Sequence, residues 1–186
     1  MQNPLYSKLL ATLAFTAIGI VPIAVFAATF KAGEQPSVSV GTTIEDDLYM
    51  AGGNVTHAGV VTGDLIAAGG SILVSGTTEG DLQVAGGNIT ILGAVSDDVR
   101  VAGGNITINS AIASDVAVLG GQINIAGGGV GGDVIGAGGT IRIDAPVAGN
   151  VRLAGGDVFI NAPIKGAVEI QADKVTLGSG AVIAGD

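Results

Sequence analysis

The sequence predicts an all-β fold, a parallel β-helix (solenoid) of about eight 17-residue coils with three short strands each, preceded by an N-terminal hydrophobic helix. Three observations predict it. First, one motif recurs from residue 47 onward, with copies starting at Asp47, Asp64, Asp81, Asp98, Asp115, Asp133, Asn150 and Ala167, and six of the eight copies are 17 residues long. Second, within each copy apolar residues alternate with polar ones in runs too short for a helix. Third, the composition is rich in Gly, at 33 residues, and poor in aromatics, with four Phe, two Tyr and no Trp. Self-similarity at a fixed short period marks a solenoid, whose units bury their apolar faces only against their neighbours. Small aliphatics with few aromatics suit a narrow core built from one layer of side chains.

The copy that starts at Asp98 shows the elements in order. Val99 and Val101 flank Arg100, Ile106 and Ile108 flank Thr107, and Ile112 stands among small residues. Period-two alternation makes each of these a short strand. Gly103-Gly104 and Ser114-Asp115 fall between them as corners, and the Gly pair is expected to supply backbone freedom for a tight turn. Parallel stacking places counterparts about 4.8 Å apart, so eight coils make a rod of about 38 Å. Inside it run ladders such as Val55, Ile72, Ile89 and Ile106, where β-branched side chains pack well. The copy from Asp115 holds one extra residue, within Gly127-Gly128-Gly129.

The flanks divide the chain further. Residues 1–27 read as a signal peptide or an N-terminal membrane anchor. Lys8 precedes an uncharged run from Leu9 to Ala28, and Val25-Phe26-Ala27 offers small residues at the −3 and −1 positions for cleavage. An uncleaved run of this length could just span a bilayer, although Pro22 would kink it. Either way the repeats are expected to be exported, membrane-associated or in the cell envelope or extracellular space. Residues 28–46 form a lead-in and partial cap, and residues 47–186 form the β-helix repeats. Gly185-Asp186 begins a further unit, so the repeats are expected to be truncated at the C-terminus.

Charge and chemistry narrow the function. The net charge is −9, which argues against nucleic-acid partners and anionic lipid heads. With no Cys there is no disulfide and no thiolate metal site. Asp64, Asp81, Asp98, Asp115 and Asp133, with Asp47, should stack along one edge. Stacked carboxylates invite calcium, but corner Asp side chains also accept backbone N–H bonds, and that role is favoured. Asn150 and Ala167 would leave gaps in a metal array, whereas Asn can do the corner job.

Other motifs carry less. Gly128 to Gly136 fits one calcium-roll nonapeptide, but such rolls need consecutive copies, and this one stands alone. Gly127, Gly129 and Gly132 have dinucleotide-loop spacing without a following helix. His57 stands in an inward Ile or Val slot of the first coil, where a polar residue is expected near a partly open end. Asn54, Asn88 and Asn105 begin glycosylation-like triplets but recur with the repeat, as corner hydrogen-bonders would. An ice-binding row through Thr56, Thr90, Thr107 and Thr176 is broken by Leu73, Asn124, Arg142 and Phe159. No catalytic residue and no cofactor site is predicted.

The repeats, as in Gly63-Asp64-Leu65-Ile66-Ala67-Ala68-Gly69-Gly70 and Gly80-Asp81-Leu82-Gln83-Val84-Ala85-Gly86-Gly87, resemble those of the bactofilins and related polymer-forming β-helix proteins, over about residues 30–186. The resemblance implies a right-handed β-helix that joins end to end into nonpolar filaments, without nucleotide or catalysis. The export signal departs from most bactofilins, which face the cytoplasm, and points to exported, membrane-associated relatives. The expectation is therefore a non-enzymatic scaffold at the cell envelope, with itself and the membrane as partners. The alternative is a surface adhesin or calcium-binding stalk using the Asp ladder.

Overall fold

The computed structural model describes residues 28–185. The predicted hydrophobic helix and the signal or anchor segment lie outside the described residues. Within them the chain is an all-β parallel β-solenoid of about nine turns. Each full turn follows the 17-residue unit, and strands stack in parallel on their counterparts one unit earlier, Leu65 on Leu48, Leu82 on Leu65 and Val99 on Leu82.

One turn more than the repeats alone comes from the lead-in. It forms β1 (Thr29–Gly33), β2 (Ser37–Val38) and β3 (Thr43–Ile44). β1 and β2 both pair with β4 (Leu48–His57), and β3 pairs with β5 (Val60–Val61). The lead-in is thus a turn in register with the repeats as well as a cover for their first coil. It lacks their consensus, which hides it in the sequence. Thr29 and Lys31 take the slots paired with Leu48 and Met50, two core residues.

Each repeat then contributes one long strand: β6 (Leu65–Val74), β8 (Leu82–Ile91), β9 (Val99–Ile112), β10 (Val116–Val130), β11 (Val134–Ile143), β12 (Val151–Ile160) and β14 (Val168–Leu177). With β1 and β4 they form a single sheet, with β2 paired to its side. Three faces are present, but the first two share one strand, because pairing continues through the Gly-Gly corner. The corner is still a corner. Inward positions shift parity across it, from Leu48 and Met50 to Val55 and His57, and the second Gly drops out of the paired register. The third face is narrow. It holds β3, β5 and β7 (Thr77–Thr78), then single bridges Thr78–Val95, Val95–Ile112, Val130–Val147 and Val147–Ile164, then β13 (Pro163–Ile164) on β15 (Val182–Ile183).

The core is a stack of Val, Ile and Leu rungs. Ile89, Ile106 and Ile123 are each 2% exposed, and Ile91, Ile108 and Ile125 are fully buried. Flat parallel stacking brings each rung onto the next, which explains the β-branched choice.

The glycines of the corner pairs serve space rather than backbone freedom. None has a positive φ. A Cβ on Gly103 would lie 2.6 Å from the Gly86 carbonyl oxygen of the coil before, and one on Gly69 would lie 2.5 Å from that of Gly52. Left-handed geometry is needed elsewhere, at the extra residue. Gly127 (φ 90°) and Gly129 (φ 107°) form a bulge where the register of β10 on β9 slips between Ala126 and Gly129.

Gly103→Ala should therefore destabilise by about 1–3 kcal/mol through overpacking against backbone. Ala102→Ser, one residue away on the exposed side, should stay within about 0.5 kcal/mol. Thermal or urea unfolding of the two variants compares them directly, and equal stabilities would contradict the close-approach account.

Candidate functional site

The most ordered polar feature is the Asp edge. Each Asp ends the narrow third face and begins the next long strand, where the backbone turns and its N–H loses a sheet partner. The carboxylate of the previous coil replaces that partner. The N–H groups of Asp64 and Asp81 donate to Oδ1 of Asp47 and Asp64, both at 2.9 Å. Those of Asp98 and Asp115 donate to Asp81 and Asp98 at 3.2 and 3.1 Å, and those of Asp133 and Asn150 to Asp115 and Asp133, both at 2.7 Å. Asn150 continues the line, its Oδ1 accepting the Ala167 N–H at 3.0 Å. The ladder is a chain of inter-coil bonds, one carboxylate per coil.

The residue before the Asp tunes this chain. Gly63, Gly80, Gly132 and Gly149 precede the shorter bonds, and a Cβ on Gly80 would lie 2.4 Å from the Asp64 carboxylate. Asp97 and Ser114 replace Gly before Asp98 and Asp115, and those two bonds are the longer ones. There other groups take up the carboxylates. Arg100 bridges two rungs, with Nη1 2.6 Å from Asp81 Oδ2 and Nη2 2.7 Å from Asp98 Oδ2. The Ser114 hydroxyl is the largest influence holding Asp98 below the usual carboxylate range, followed by the Asp115 amide. Asp133 is held below that range first by the backbone N–H of Asn150, then by its side chain. Bonds of this kind stabilise the fold above the ordinary carboxylate range and are lost as pH falls through the lowered values.

For metal chemistry, one group of carboxylates converges among the described residues: Asp81, Asp97 and Asp98 offer oxygens within 4.8 Å of one another. The Arg100 guanidinium already lies between two of them. The sequence did not single out Arg100. An Asp-x-Arg spacing is its only local signal, and stacking alone places it against the coil before. Asp64, Asp115 and Asp133 do not join such a group; the third carboxylate comes from Asp97, which stands where Gly63, Gly80, Gly132 and Gly149 stand in other coils.

The remaining motifs are spread over the rod. The stretch from Gly128 to Gly136 spans the bulge and its corner, where a Cβ on Gly132 would meet Asp115 Oδ1. Asn105 Nδ2 donates to Asn88 Oδ1 at 2.9 Å across coils, and Thr56, Thr90 and Thr107 point away from the core on the second face. His57 is not near an open end. It is fully buried under Val38 of the lead-in turn, and neither ring nitrogen has a partner. Thr78 and Ser110 are also buried with unpaired hydroxyls. Along the first face runs an open, mostly apolar groove lined by Ile66, Ala85, Ala102, Leu119, Ile135 and Ala154.

Comparison with protein-family models, with curated proteins and with solved structures finds no match for the chain.

The bridging role predicts that Asn can replace Asp in the ladder and Ala cannot. Asp115→Asn should leave stability within about 0.5 kcal/mol, whereas Asp115→Ala, which strips the Asp133 N–H of its acceptor, should cost about 1 kcal/mol. That cost corresponds to about 2–4 °C in Tm for a chain of this size. Calorimetric melting of both variants at neutral pH checks the difference.

Proposed function

We propose that this chain is a non-enzymatic structural scaffold of the cell envelope, akin to the bactofilin-like polymer-forming proteins, that self-associates through the ends of its solenoid. One observation carries the reading. At the last described coil, Val175, Leu177 and Ile183 are 47%, 56% and 40% exposed, whereas Val158, Ile160 and Ile164, their counterparts one coil earlier, are 2%, 0% and 1% exposed. Among the described residues, no strand pairs with the outer edge of β14 or β15. An apolar layer beside a row of unpaired N–H and C=O groups is what templates another β-edge. Export and the membrane association of residues 1–27 belong to the same proposal and rest on the uncharged run that ends at Ala28.

A second reading, a calcium-binding stalk, is favoured by the cluster of Asp81, Asp97 and Asp98. Calcium there would have to displace Arg100. Titration calorimetry separates the two readings: heat and a raised Tm on calcium addition support the stalk.

The scaffold reading predicts concentration-dependent assembly of the full-length chain, seen by light scattering and negative-stain electron microscopy. Leu177→Glu, a charge in the exposed layer, should raise the concentration needed for assembly at least tenfold while leaving the far-ultraviolet β signal unchanged. A full-length chain that stays monomeric at high concentration would overturn the proposal.

A further inference from the structure

His57 is the single His of the chain, and it occupies a rung of the interior ladder between Val38 of β2 and Val74 of β6. It is 0% exposed, with both ring nitrogens unpartnered. The elements around it bring no charge to the ring. β2, β3, β5 and β6 carry no ionisable side chain, and on β4 the other titratable residue, Tyr49, stacks on Phe30 with ring centroids 4.8 Å apart. On β1, Lys31 Nζ donates to the Ser37 carbonyl at 3.2 Å. Glu34, Glu45, Asp46, Asp47 and Asp64 stand at exposed or half-buried corners. A protonated ring in this slot would be a buried, unpaired charge. Burial alone therefore pushes the imidazole down to about 4.

What covers the ring is thin. Among the described residues only the lead-in turn lies beyond it, held to the next coil by the pairing of β1 and β2 on β4 and of β3 on β5. The Thr29 N–H donates to the Asp47 carbonyl, and the N–H groups of Asn54, Thr56 and Ala58 donate to the carbonyls of Glu34, Pro36 and Val38. Lifting this turn would wet the ring and leave every later rung in place.

We propose that residues 29–44 form an acid-opened latch over His57: protonation of the exposed ring holds the turn off β4 and frees the edge of Leu48–His57 for pairing with another strand. The direction follows from linkage. An exposed ring takes its proton near 6.5, the buried one near 4. The open form therefore binds more protons between these values. The closed form has its full advantage above about 6.5, loses it as pH falls, and loses no more below about 4. From pH 7.5 to 5.0 the open population should rise about 30-fold. This inference stands whether or not the solenoid assembles through its ends.

Amide hydrogen exchange on the full-length chain at pH 7.5 and 5.0, corrected for intrinsic rates, tests the latch. Protection of the Asn54, Thr56 and Ala58 amides should fall about 30-fold at pH 5.0 relative to that of Ile106 and Thr107. His57→Val, which completes the aliphatic ladder, should abolish that difference. His57→Gln, uncharged but still polar, should weaken protection equally at both pH values. A wild-type difference below threefold would overturn the latch, and so would one that persists in either variant.

Discussion

In-register parallel pairing of each coil on the one before is the constraint on which everything else in this molecule depends. Position stacks on like position, so a requirement at one site is repeated along the whole rod. A corner that passes too close to the preceding carbonyl disfavours a Cβ turn after turn, and Gly recurs at Gly69, Gly86, Gly103 and Gly120, with Ala172 taking the slot only in the last strand of the ladder. An interior slot above an Ile is filled by another Ile or Val, because pleated neighbours at this spacing interlock best when branched at Cβ. The repeat in the sequence is the imprint of a translation in space.

The same translation creates a problem that the Asp edge resolves. Where the narrow third face hands over to the long strand, one N–H per coil turns out of the sheet. Leaving it bare would cost about 1–3 kcal/mol each if buried. A carboxylate from the neighbouring coil meets it, yet stacked carboxylates repel. The repulsion is relieved because each Oδ1 faces an amide, and because Arg100 and the Ser114 hydroxyl add donors where Asp97 and Ser114 replace the usual Gly. Asn150 shows that an amide oxygen suffices for the bond, so geometry rather than charge is the essential property of this slot.

Most of this was legible in the sequence, because its signals are local and repeated: the period, the alternation within each strand, the Asp at the corner. What was hidden has a physical reason in each case. The lead-in turn departs from the consensus at Thr29 and Lys31, so no repeat search reveals a coil there, and His57 consequently read as lying near an open end. The Gly pairs are visible as glycines, but conformational need and lack of room leave the same letter in a sequence, and only their ordinary φ values distinguish the two. Arg100 bonds to Asp81 across 19 residues, a contact that the rise of the solenoid makes and that no pattern within one unit displays.

The interior repeats at every coil while the outward side chains vary, Tyr49, Ile66, Gln83 and Arg100 following one another in one register, so what is specific to the interior must arise where its uniformity fails. It fails at the Gly127–Gly129 bulge, at the buried His57, and at the first and last described turns. The bulge widens one turn without bringing reactive groups together. The ends differ in character. The first described turn presents Thr29 and Lys31 in the slots above Leu48 and Met50, and Lys31 reaches across to a backbone carbonyl, so water can satisfy that surface. The last presents Val175, Leu177 and Ile183 above a fully formed core, and water cannot. The hydrophobic term therefore favours covering the apolar layer of the last described coil, by a further coil or by another strand, whereas the first described turn answers as well to the proton taken up by His57.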